Sequence, residues 1–260
     1  MPELPDLQVF SHNLQQQLKG KVVKKIAAPK TKKLNVSVSQ LKKAIEGQSI
    51  REIRREGKEL HIQFGNGHVL GLHLMLNGDL HLFEGKNPHR HTIIELQFDD
   101  DTGLVLTDFR YMARPTLDPD IPSAPDALDK QVNARFLKER LSAKKGSVKN
   151  WLLDQDAIRG IGNAYADEIL WDARISPFSS CQAIPPAKVT ALAKSVKKVL
   201  KHAEKQIRKE HPDIISGEIR DFLLIHHSKK KKSPTGAAIQ VKTTGGRKTY
   251  FTDEQVLYES

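Results

Sequence analysis

The chain has 260 residues, and its 42 Lys and Arg residues outnumber its 31 Asp and Glu residues to give a net charge of +11 at pH 7. Such a basic excess favours a polyanionic partner, with nucleic acid as the first candidate and an anionic membrane surface as the second. No apolar run approaches the ~20 residues that span a bilayer, and the first ten residues lack the pattern of a signal peptide. Because Cys181 is the only cysteine, the sequence excludes an internal disulfide and a cysteine-based zinc site.

A helix is predicted near the start of the chain, and short strands are predicted after it. Over residues 4–20, apolar residues recur at helical spacing before Gly20 stops the pattern. These residues are Leu7, Phe10, Leu14 and Leu18. From residue 21 to about residue 117, short and partly alternating segments are separated by Gly, Asn or Asp turns. This pattern predicts a β-sandwich or barrel.

The second half of the chain is predicted to be mainly helical. Residues 115–129 are rich in Pro and Asp and are expected to form a linker. Helical periodicity then recurs in NARFLKERLSAK, GSVKNWLLDQ, GIGNAYADEILWDA, PPAKVTALAKSVKKVLKHAEKQIRKE and SGEIRDFLL. The tail begins KKKKSP at residue 229 and continues as AAIQVKTTGGRKTYF, which predicts a hairpin with Gly245 and Gly246 at its turn.

The first three residues, Met-Pro-Glu, carry a chemical hypothesis. Processing enzymes remove an initiator Met when the next residue is small, so Pro2 is a candidate N-terminal residue with a free secondary amine. An α-amino group has a pKa of ~7.7–8.0, which leaves a useful fraction neutral and nucleophilic at cellular pH. Taken alone, these residues are better explained as an arbitrary N-terminus.

The segment KNWLLDQDAIRGIGNAYADEILWDARISP contains a glycine-rich turn that runs into a helix start. Gly160 and Gly162 precede the helix that is predicted to resume at Asn163, and Lys149 and Arg159 add positive charge nearby. Free backbone N–H groups at such a helix start bind anions, which predicts a phosphate site. A helical corner with glycines for tight packing is the alternative.

In LLDQ, GIGNAYADE and the following ISP, this segment resembles the helix–two-turn–helix motif of the formamidopyrimidine-DNA glycosylase / endonuclease VIII family. That family also begins with Met-Pro-Glu, followed by a helix and a β-sandwich. Since the two remote signals occur in the right order, the resemblance extends over essentially the whole chain. It implies an α+β fold and an enzyme that excises oxidised bases from DNA and then cuts the strand at the abasic site.

The resemblance assigns catalytic roles near the N-terminus. Pro2 matches the nucleophile that attacks C1′ and forms a Schiff base, which leads to β- and often δ-elimination. Glu3 matches the acid/base that acts on the deoxyribose. Asp6 occupies a position where the family usually has Glu, and it is a candidate for supporting the active site. Lys58, in REGKELHIQF, matches the hairpin lysine that approaches the substrate phosphate or sugar. A solvated turn lysine is the alternative for Lys58.

The resemblance also implies DNA contacts in the β-sandwich. LHLMLNGDL, which contains His73, resembles the family's His-Leu-Gly-Met-Ser-Gly segment. The resemblance places Leu76 where a Met usually fills the hole left by the everted base. TDFRYMAR resembles Asp-Pro-Arg-Arg-Phe-Gly, so Arg110 matches the residue that pairs with the orphaned base, and Met112 replaces the Phe wedge. His91, in HRHT, matches a segment beside the DNA backbone. With no third ligand in reach by sequence, we expect no metal there.

In the helical half, Lys149 and Asn163 match residues that contact phosphate. Glu168 matches an acidic residue that points toward the active site, although a salt bridge or a helix-start charge explains it as well. Where many relatives carry zinc-binding cysteines in the tail, this chain has Lys232, Thr235, Thr252 and Gln255. The tail therefore resembles a zincless finger, in which Arg247 matches the arginine that clamps phosphates beside the lesion. One more basic residue in a disordered tail is the alternative for Arg247.

These assignments divide the chain into four parts. They are an N-terminal catalytic β-sandwich domain (1–115), a linker (116–130), a helix–two-turn–helix DNA-binding domain (131–228) and a zincless-finger hairpin (229–260). We expect a monomer without a cofactor that acts on damaged DNA, as a duplex, and does not bind membranes. The expected location is intracellular and, in a bacterium, cytoplasmic and nucleoid-associated.

Two other functions remain open at the level of the sequence. One is a DNA-binding protein that keeps the fold but has lost or narrowed catalysis, an alternative suggested by the changed wedge residues Leu76 and Met112. The other is an RNA-binding module, because a helix–two-turn–helix also occurs in a ribosomal protein. The N-terminal Met-Pro-Glu has no role in the second alternative.

Overall fold

The computed structural model describes residues 1–120 and 122–259. The chain divides into two compact units. The first unit comprises Met1–Ile121 and Ile207–Glu218, and the second comprises Pro122–Gln206 and Ile219–Ser260. Among the described residues, no helix is both long enough and apolar enough to cross a bilayer.

The first unit begins with helix α1, Leu4–Leu18, which confirms the prediction from periodicity. Pro5 lies in the first turn, where its missing N–H costs no hydrogen bond. The helix buries one apolar face against strands of the same unit. The buried residues include all of those that define the periodic pattern: Leu7, Phe10, Leu14 and Leu18.

Within the described residues, the first unit contains two antiparallel four-stranded sheets. One sheet has the strand order β1 (Val23–Ala27), β6 (Thr92–Phe98), β7 (Thr102–Thr107), β5 (Asp79–Glu84). The other has the order β2 (Ile50–Glu56), β3 (Glu59–Phe64), β4 (Val69–His73), β8 (Arg114–Leu117). A single hydrophobic cluster takes side chains from both sheets and from α1, which makes the unit a β-sandwich.

Two elements of the first unit were not expected from the sequence. Helix α2, Val38–Ile45, follows β1, and Ser37 caps it by accepting the Gln40 backbone N–H at 3.2 Å. Strand β8 begins at Arg114, so it occupies residues that composition had suggested were linker. Its pairing with β4 satisfies backbone groups that a proline-rich coil would leave to water.

The helices of the second unit follow the sequence prediction closely. They are α3 (Ala134–Ser142), α4 (Val148–Leu153), α5 (Asn163–Asp172) and α6 (Pro186–Glu210), the last of which runs on into residues of the first unit. Cys181 lies buried in a short 3-10 turn, and burial raises the pKa of its thiol to about 11. The cysteine is therefore a packing residue.

The tail forms the predicted hairpin, with strands β9 (Gln240–Thr244) and β10 (Arg247–Phe251). Gly245 and Gly246 have φ angles of 58° and 75°, a left-handed conformation that favours glycine. The hairpin prediction is confirmed, and no cysteine is needed to set its register.

The prediction of a helix over SGEIRDFLL is wrong. Residues 216–224 form bends and turns, and Gly217 has a φ of 89°, which a right-handed helix excludes. The N–H of Leu224 donates at 2.9 Å to the side chain of Glu168 instead of to a helical carbonyl. A distant carboxylate has replaced the local hydrogen bonding that periodicity predicts.

Candidate active site and nucleic-acid interface

The N-terminus of α1 holds the candidate catalytic pair in a fixed backbone. Pro2 is buried, and Glu3, with an exposed fraction of 4%, is the N-cap residue of the helix. Asp6 accepts the backbone N–H of Glu3 at 2.8 Å, which forms one half of a capping box. The shorter Asp side chain is well suited to this third helical position. Asp6 therefore supports Glu3 by fixing the start of the helix.

Contacts along α1 show which end of the sandwich receives the N-terminus. Gln15 accepts the backbone N–H of Ile53 at 2.5 Å. About two helical turns closer to the N-terminus, Gln8 accepts a hydrogen bond from the Arg55 side chain at 2.9 Å. The N-terminus of the helix therefore lies toward the end of β2 that leads into the turn at Gly57. Pro2 and Glu3 lie at the end of the unit to which that turn belongs.

The same end of the sheet carries two further predicted site residues, Lys58 and His73. Lys58 lies in the tight turn between β2 and β3. His73 ends β4 opposite Arg114, the first residue of β8. Burial lowers the pKa of His73, and the positive charges of Lys58 and Arg114 add to that effect, while Glu59 opposes it. A neutral His73 between cationic neighbours is suited to hydrogen bonding rather than to charge pairing.

The loop after β4 presents the first predicted wedge residue to solvent. Leu76 has an exposed fraction of 64%, although its neighbour Leu74 is buried. The loop is closed by a hydrogen bond from the Gly78 N–H to the Leu74 carbonyl at 2.8 Å, and the Met75 N–H donates to the His73 ring at 3.1 Å. An exposed leucine on a closed turn is free to insert between bases.

The loop between β7 and β8 presents Arg110 and Met112. Buried Asp108 accepts the backbone N–H groups of Arg110, Met112 and Ala113, each at 2.8 Å. Met112 is 40% exposed, and Phe109, which the sequence analysis did not single out, is 58% exposed. The backbone is therefore fixed by Asp108, while the side chains that project from it remain available.

His91 supports this loop from the bend directly before β6. Its ring Nδ1 lies 2.9 Å from the Tyr111 hydroxyl, and its carbonyl accepts the Asp108 N–H at 3.0 Å. The ring of His89, two residues earlier, stacks on His81 with centroids 4.1 Å apart. The histidines of HRHT are thus bound to side chains of the sandwich, and among the described residues no group of His, Cys, Asp and Glu could hold a metal ion.

The chain begins with Met1, whose ammonium pairs with the carboxylate of Glu218 within the first unit. In this form the Pro2 nitrogen is part of a peptide bond and has no lone pair for nucleophilic attack. Removal of Met1 transfers the terminal amine to Pro2, which is the chemical requirement of the N-terminal hypothesis.

In the second unit, two of the predicted phosphate ligands, Lys149 and Arg247, line a cleft of about 460 Å³. Its lining includes Lys149 and Asn150 of α4 together with Arg247 and Thr249 of the hairpin. The Arg247 side chain is exposed at the first position of β10. A cationic cleft formed by a helix and a hairpin is a geometry that suits a phosphate backbone.

Lys149 lies at the inner wall of this cleft and is almost completely buried. Its ammonium lies 2.7 Å from Asp167 and donates to the Thr249 hydroxyl at 2.7 Å. Asp167 also accepts the Tyr250 backbone N–H at 2.9 Å and lies 2.7 Å from His226. These contacts join α4, α5 and β10, so Lys149 positions the hairpin besides lining the cleft.

Asn163 makes a second attachment between the helices and the hairpin. It begins α5 directly after Gly162, and its side-chain amide donates to the Lys248 carbonyl at 2.9 Å. The predicted phosphate ligand therefore has an intramolecular partner one residue from Arg247. The start of α5, which the sequence suggested as an anion site, lies at the same point of the fold.

Glu168 is directed toward the backbone of its own unit. It is 4% exposed and accepts the N–H groups of Leu224, Ile225 and His226 at 2.8 to 2.9 Å. Burial raises the pKa of this carboxyl, and the backbone donors oppose that shift. Glu168 therefore anchors the segment after residue 221, a role for which neither the salt-bridge nor the helix-start alternative had allowed.

The four positions that match the cysteines of a zinc finger hold Lys232, Thr235, Thr252 and Gln255. Ammonium, hydroxyl and amide groups do not supply the thiolate and imidazole ligands that a structural zinc site requires, so these four residues do not fit a zinc ion. Thr235 and Thr252 instead donate to the carboxylate of Glu254 at 2.5 and 3.1 Å. Glu254 is a further residue that the sequence analysis missed.

A sandwich with a buried acid after the first proline and a helical unit with a cationic hairpin define a class of nucleic-acid enzymes with a helix–two-turn–helix domain. Two family models match the chain in this order. The formamidopyrimidine-DNA glycosylase N-terminal domain matches residues 1–114, and the formamidopyrimidine-DNA glycosylase H2TH domain matches residues 123–211.

Similar proteins extend this result to the full length. A formamidopyrimidine-DNA glycosylase of Lactobacillus gasseri is 30% identical over 276 residues and aligns over 100% of both chains. One of Arabidopsis thaliana is 28% identical and covers 99% of this chain and 72% of its own length.

Solved structures of similar proteins contain DNA. The complex between Lactococcus lactis Fpg and an abasic site containing DNA has a TM-score of 0.86 at 25% identity and covers 96% of this chain and 98% of its own. A structure of MutM in complex with carbocyclic 8-oxo-G containing DNA has a TM-score of 0.86 at 26% identity, with the same coverage.

The chain belongs to the formamidopyrimidine-DNA glycosylase family. It is a bifunctional enzyme of base excision repair, a DNA glycosylase that also acts as a lyase at abasic sites.

Proposed function

We propose that the chain removes oxidised bases with Pro2 as its nucleophile, after loss of Met1. The observation that supports this most directly is the position of Pro2, buried directly before Glu3 at the start of α1. The same end of the sandwich carries Lys58 and the loop of Leu76. A terminal amine, a carboxylate and a lysine thus lie at one end of the fold.

The chemistry follows from these groups. The lone pair of the Pro2 nitrogen attacks C1′, and the bond from C1′ to the base breaks as the base leaves with its electron pair. The Pro2 nitrogen then loses its proton and opens the sugar ring: the C1′–O4′ bond breaks, O4′ takes up a proton, and C1′ becomes part of an iminium ion. The iminium ion acidifies the C2′ proton, and loss of that proton expels the 3′ phosphate by β-elimination. Glu3 exchanges protons with the deoxyribose during these steps, since a buried carboxylate can accept and return a proton without forming a bond to carbon. Lys58 binds the phosphate or sugar.

The exposed loops of the sandwich hold the opened duplex. Leu76 fills the space that the everted base leaves, Met112 enters the base stack, and Arg110 pairs with the orphaned base. Apolar wedges offset an unstacking cost of a few kcal/mol per step. His73 and His91 support these loops through the contacts described above and approach the DNA backbone.

The second unit binds phosphates beside the lesion through Arg247, with Lys149 and Asn163 at the base of the hairpin. The β-sandwich, whose last strand ends at Leu117, acts as the catalytic domain, the helices of the second unit act as the DNA-binding domain, and residues 229–260 act as the finger. The substrate is damaged DNA, which we infer to be a duplex, and the enzyme acts as a monomer inside the cell, on the nucleoid in a bacterium.

Reductive trapping tests the proposal. Wild-type protein is incubated with an abasic-site duplex and borohydride, and the crosslinked peptide is identified by mass spectrometry together with the intact N-terminus. We expect the adduct on Pro2 of a chain that lacks Met1, and a much weaker one for Pro2→Gly, in which a primary amine replaces the ring nitrogen. An adduct on Lys58, or efficient cleavage by a chain that retains Met1, would refute the assignment. Lys24→Gln, which removes an exposed lysine of β1, is the control.

The same experiment addresses the binding protein with lost catalysis. That alternative is favoured by the replacement of the usual wedge side chains with Leu76 and Met112. It predicts that the wild type binds an abasic-site duplex in a gel-shift assay but gives no trapped adduct at any concentration.

A further inference from the structure

Glu254 is a carboxylate that the proposed reaction does not use and that lies among converging donors. One oxygen, Oε2, accepts from the Ser233 hydroxyl at 3.0 Å, from the Thr252 hydroxyl at 3.1 Å and from the indole N–H of Trp171 at 3.1 Å. The other, Oε1, accepts from the Thr235 hydroxyl at 2.5 Å. The guanidinium of Arg174 lies 3.5 Å away and stacks over the Trp171 ring.

These donors come from three separate parts of the chain. Ser233 and Thr235 belong to the turn before β9, Thr252 follows β10, and Trp171 lies at the end of α5. The segments at both ends of the hairpin therefore meet at one group, which also holds them against a helix. In a metal-binding finger, a zinc ion makes this connection between the two ligand-bearing turns, or knuckles. We call the segments at the two ends of this hairpin, residues 231–237 and 250–256, its first and second knuckle.

The surrounding structure is arranged around an ionised carboxylate. Thr252 and Trp171 are at most 5% exposed, and their hydroxyl and indole donors would be unsatisfied without an acceptor at this position. The Ser233 hydroxyl is 6% exposed and also lies 2.9 Å from the Thr235 hydroxyl. Hydrogen bonds from Thr235, above all, lower the pKa of Glu254 to about 2. Next to it, Gln255 donates to the Ile175 carbonyl at 2.8 Å and accepts the Thr252 N–H at 2.9 Å, so the second knuckle is fixed at two adjacent residues.

We propose that the Glu254 carboxylate takes the structural place of a metal ion in this finger: it joins the two knuckles to the end of α5 and so positions Arg247. Two of the four residues that replace the cysteines, Thr235 and Thr252, donate to it directly. Glu254 is thus a positioning residue, and its effect on DNA rests on the proposed phosphate role of Arg247.

Hydrogen exchange measured by mass spectrometry on the full chain tests the structural part without reference to activity. We compare Glu254→Gln with Asp253→Asn, which removes the same charge from the adjacent exposed residue. The glutamine keeps one acceptor oxygen but turns an amide NH₂ toward hydroxyl donors. We expect exchange over residues 231–237 and 250–256 to accelerate at least about tenfold in Glu254→Gln, with the sandwich unchanged.

Thr235→Val provides a second variant, since Thr235 is exposed and its loss leaves the buried donors in place. It should accelerate exchange in the same two segments by a smaller factor. If Glu254→Gln does not fold, Thr235→Val decides the question. Exchange equal to that of Asp253→Asn in the folded variants would overturn the proposal, as would equal acceleration across the entire second unit.

Binding to an abasic-site duplex tests the link to Arg247. Glu254→Gln should weaken binding, and adding Arg247→Ala should then cost less than the same change costs in the wild type, because the arginine is already misplaced. Fully additive losses would refute the positioning role. If the wild type neither binds nor cleaves DNA while the exchange results are as expected, the proposed function fails and the carboxylate-centred finger stands.

Discussion

Asp167→Asn should destabilise the second unit through loss of one buried charge. The Asp167 side chain has an exposed fraction of 0% and lies 2.7 Å from the Lys149 ammonium, which is 6% exposed. Removing one partner of a buried pair costs about 3–5 kcal/mol, because the other charge stays buried without its counter-ion. Asn keeps an oxygen for the Tyr250 N–H, and Lys149 also donates to Thr249. We therefore expect the lower end of the range, about 3 kcal/mol.

Urea titration monitored by tryptophan fluorescence measures this loss selectively. The sequence contains two tryptophans, Trp151 and Trp171, and both lie in the second unit. With a denaturant slope of about 1–3 kcal/mol per M, the midpoint should fall by at least about 1 M. Glu139→Gln is the control, since it breaks an exposed pair with Arg135 on α3 and should cost at most about 0.5 kcal/mol. A loss below about 1 kcal/mol for Asp167→Asn would refute the reasoning.

Four further results follow from the structure. Glu3→Gln should abolish strand cleavage in a gel assay while binding to an abasic-site duplex persists; cleavage near the wild-type rate would contradict its role. Arg247→Ala should reduce the slope of log K against log salt by about 1, and an unchanged slope would mean that the hairpin does not contact phosphate. Phe109→Ala should weaken lesion binding by about 1–3 kcal/mol if its exposed ring stacks on a base, with equal affinities as the contrary result. Because the pKa of Glu254 is lowered to about 2, its stabilising effect is complete above the usual value near 4.5 and is lost as pH falls toward 2. The NMR shift of the Trp171 indole N–H should titrate in that window, and not in Glu254→Gln.

Most helices and strands could be predicted because their signals are local. The apolar positions of α1 repeat at helical spacing, and the turn glycines of the β9–β10 hairpin are adjacent in sequence. Helix α2 was missed because it has only 8 residues and lies in a stretch of the chain in which the flanking signals predict strands. The Ser37-x-x-Gln40 capping pattern was the signal that would have identified it.

The partners of the candidate site residues could not be predicted in the same way. Lys149 and Thr249 are separated by 100 residues, and Trp171 and Glu254 by 83. Sequence spacing does not show which buried carboxylate faces which donor, since that depends on how the helices pack. The same limit applies to Glu168. The sequence identified it as an acidic candidate residue but could not show that it accepts the backbone N–H groups of residues 224–226.

In the loop before β8, the backbone conformation and the identity of the exposed side chain depend on different residues. Its backbone conformation depends on Asp108, which accepts the N–H groups of Arg110, Met112 and Ala113 and lies outside the substituted wedge positions. In the proposed role of Met112 as the wedge, its replacement of an aromatic residue therefore changes the side chain that enters the base stack but leaves the loop in place. Glu3 is fixed independently, by its helix cap and Asp6. Since neither device depends on the wedge side chain, its substitution argues for altered lesion preference rather than for loss of catalysis.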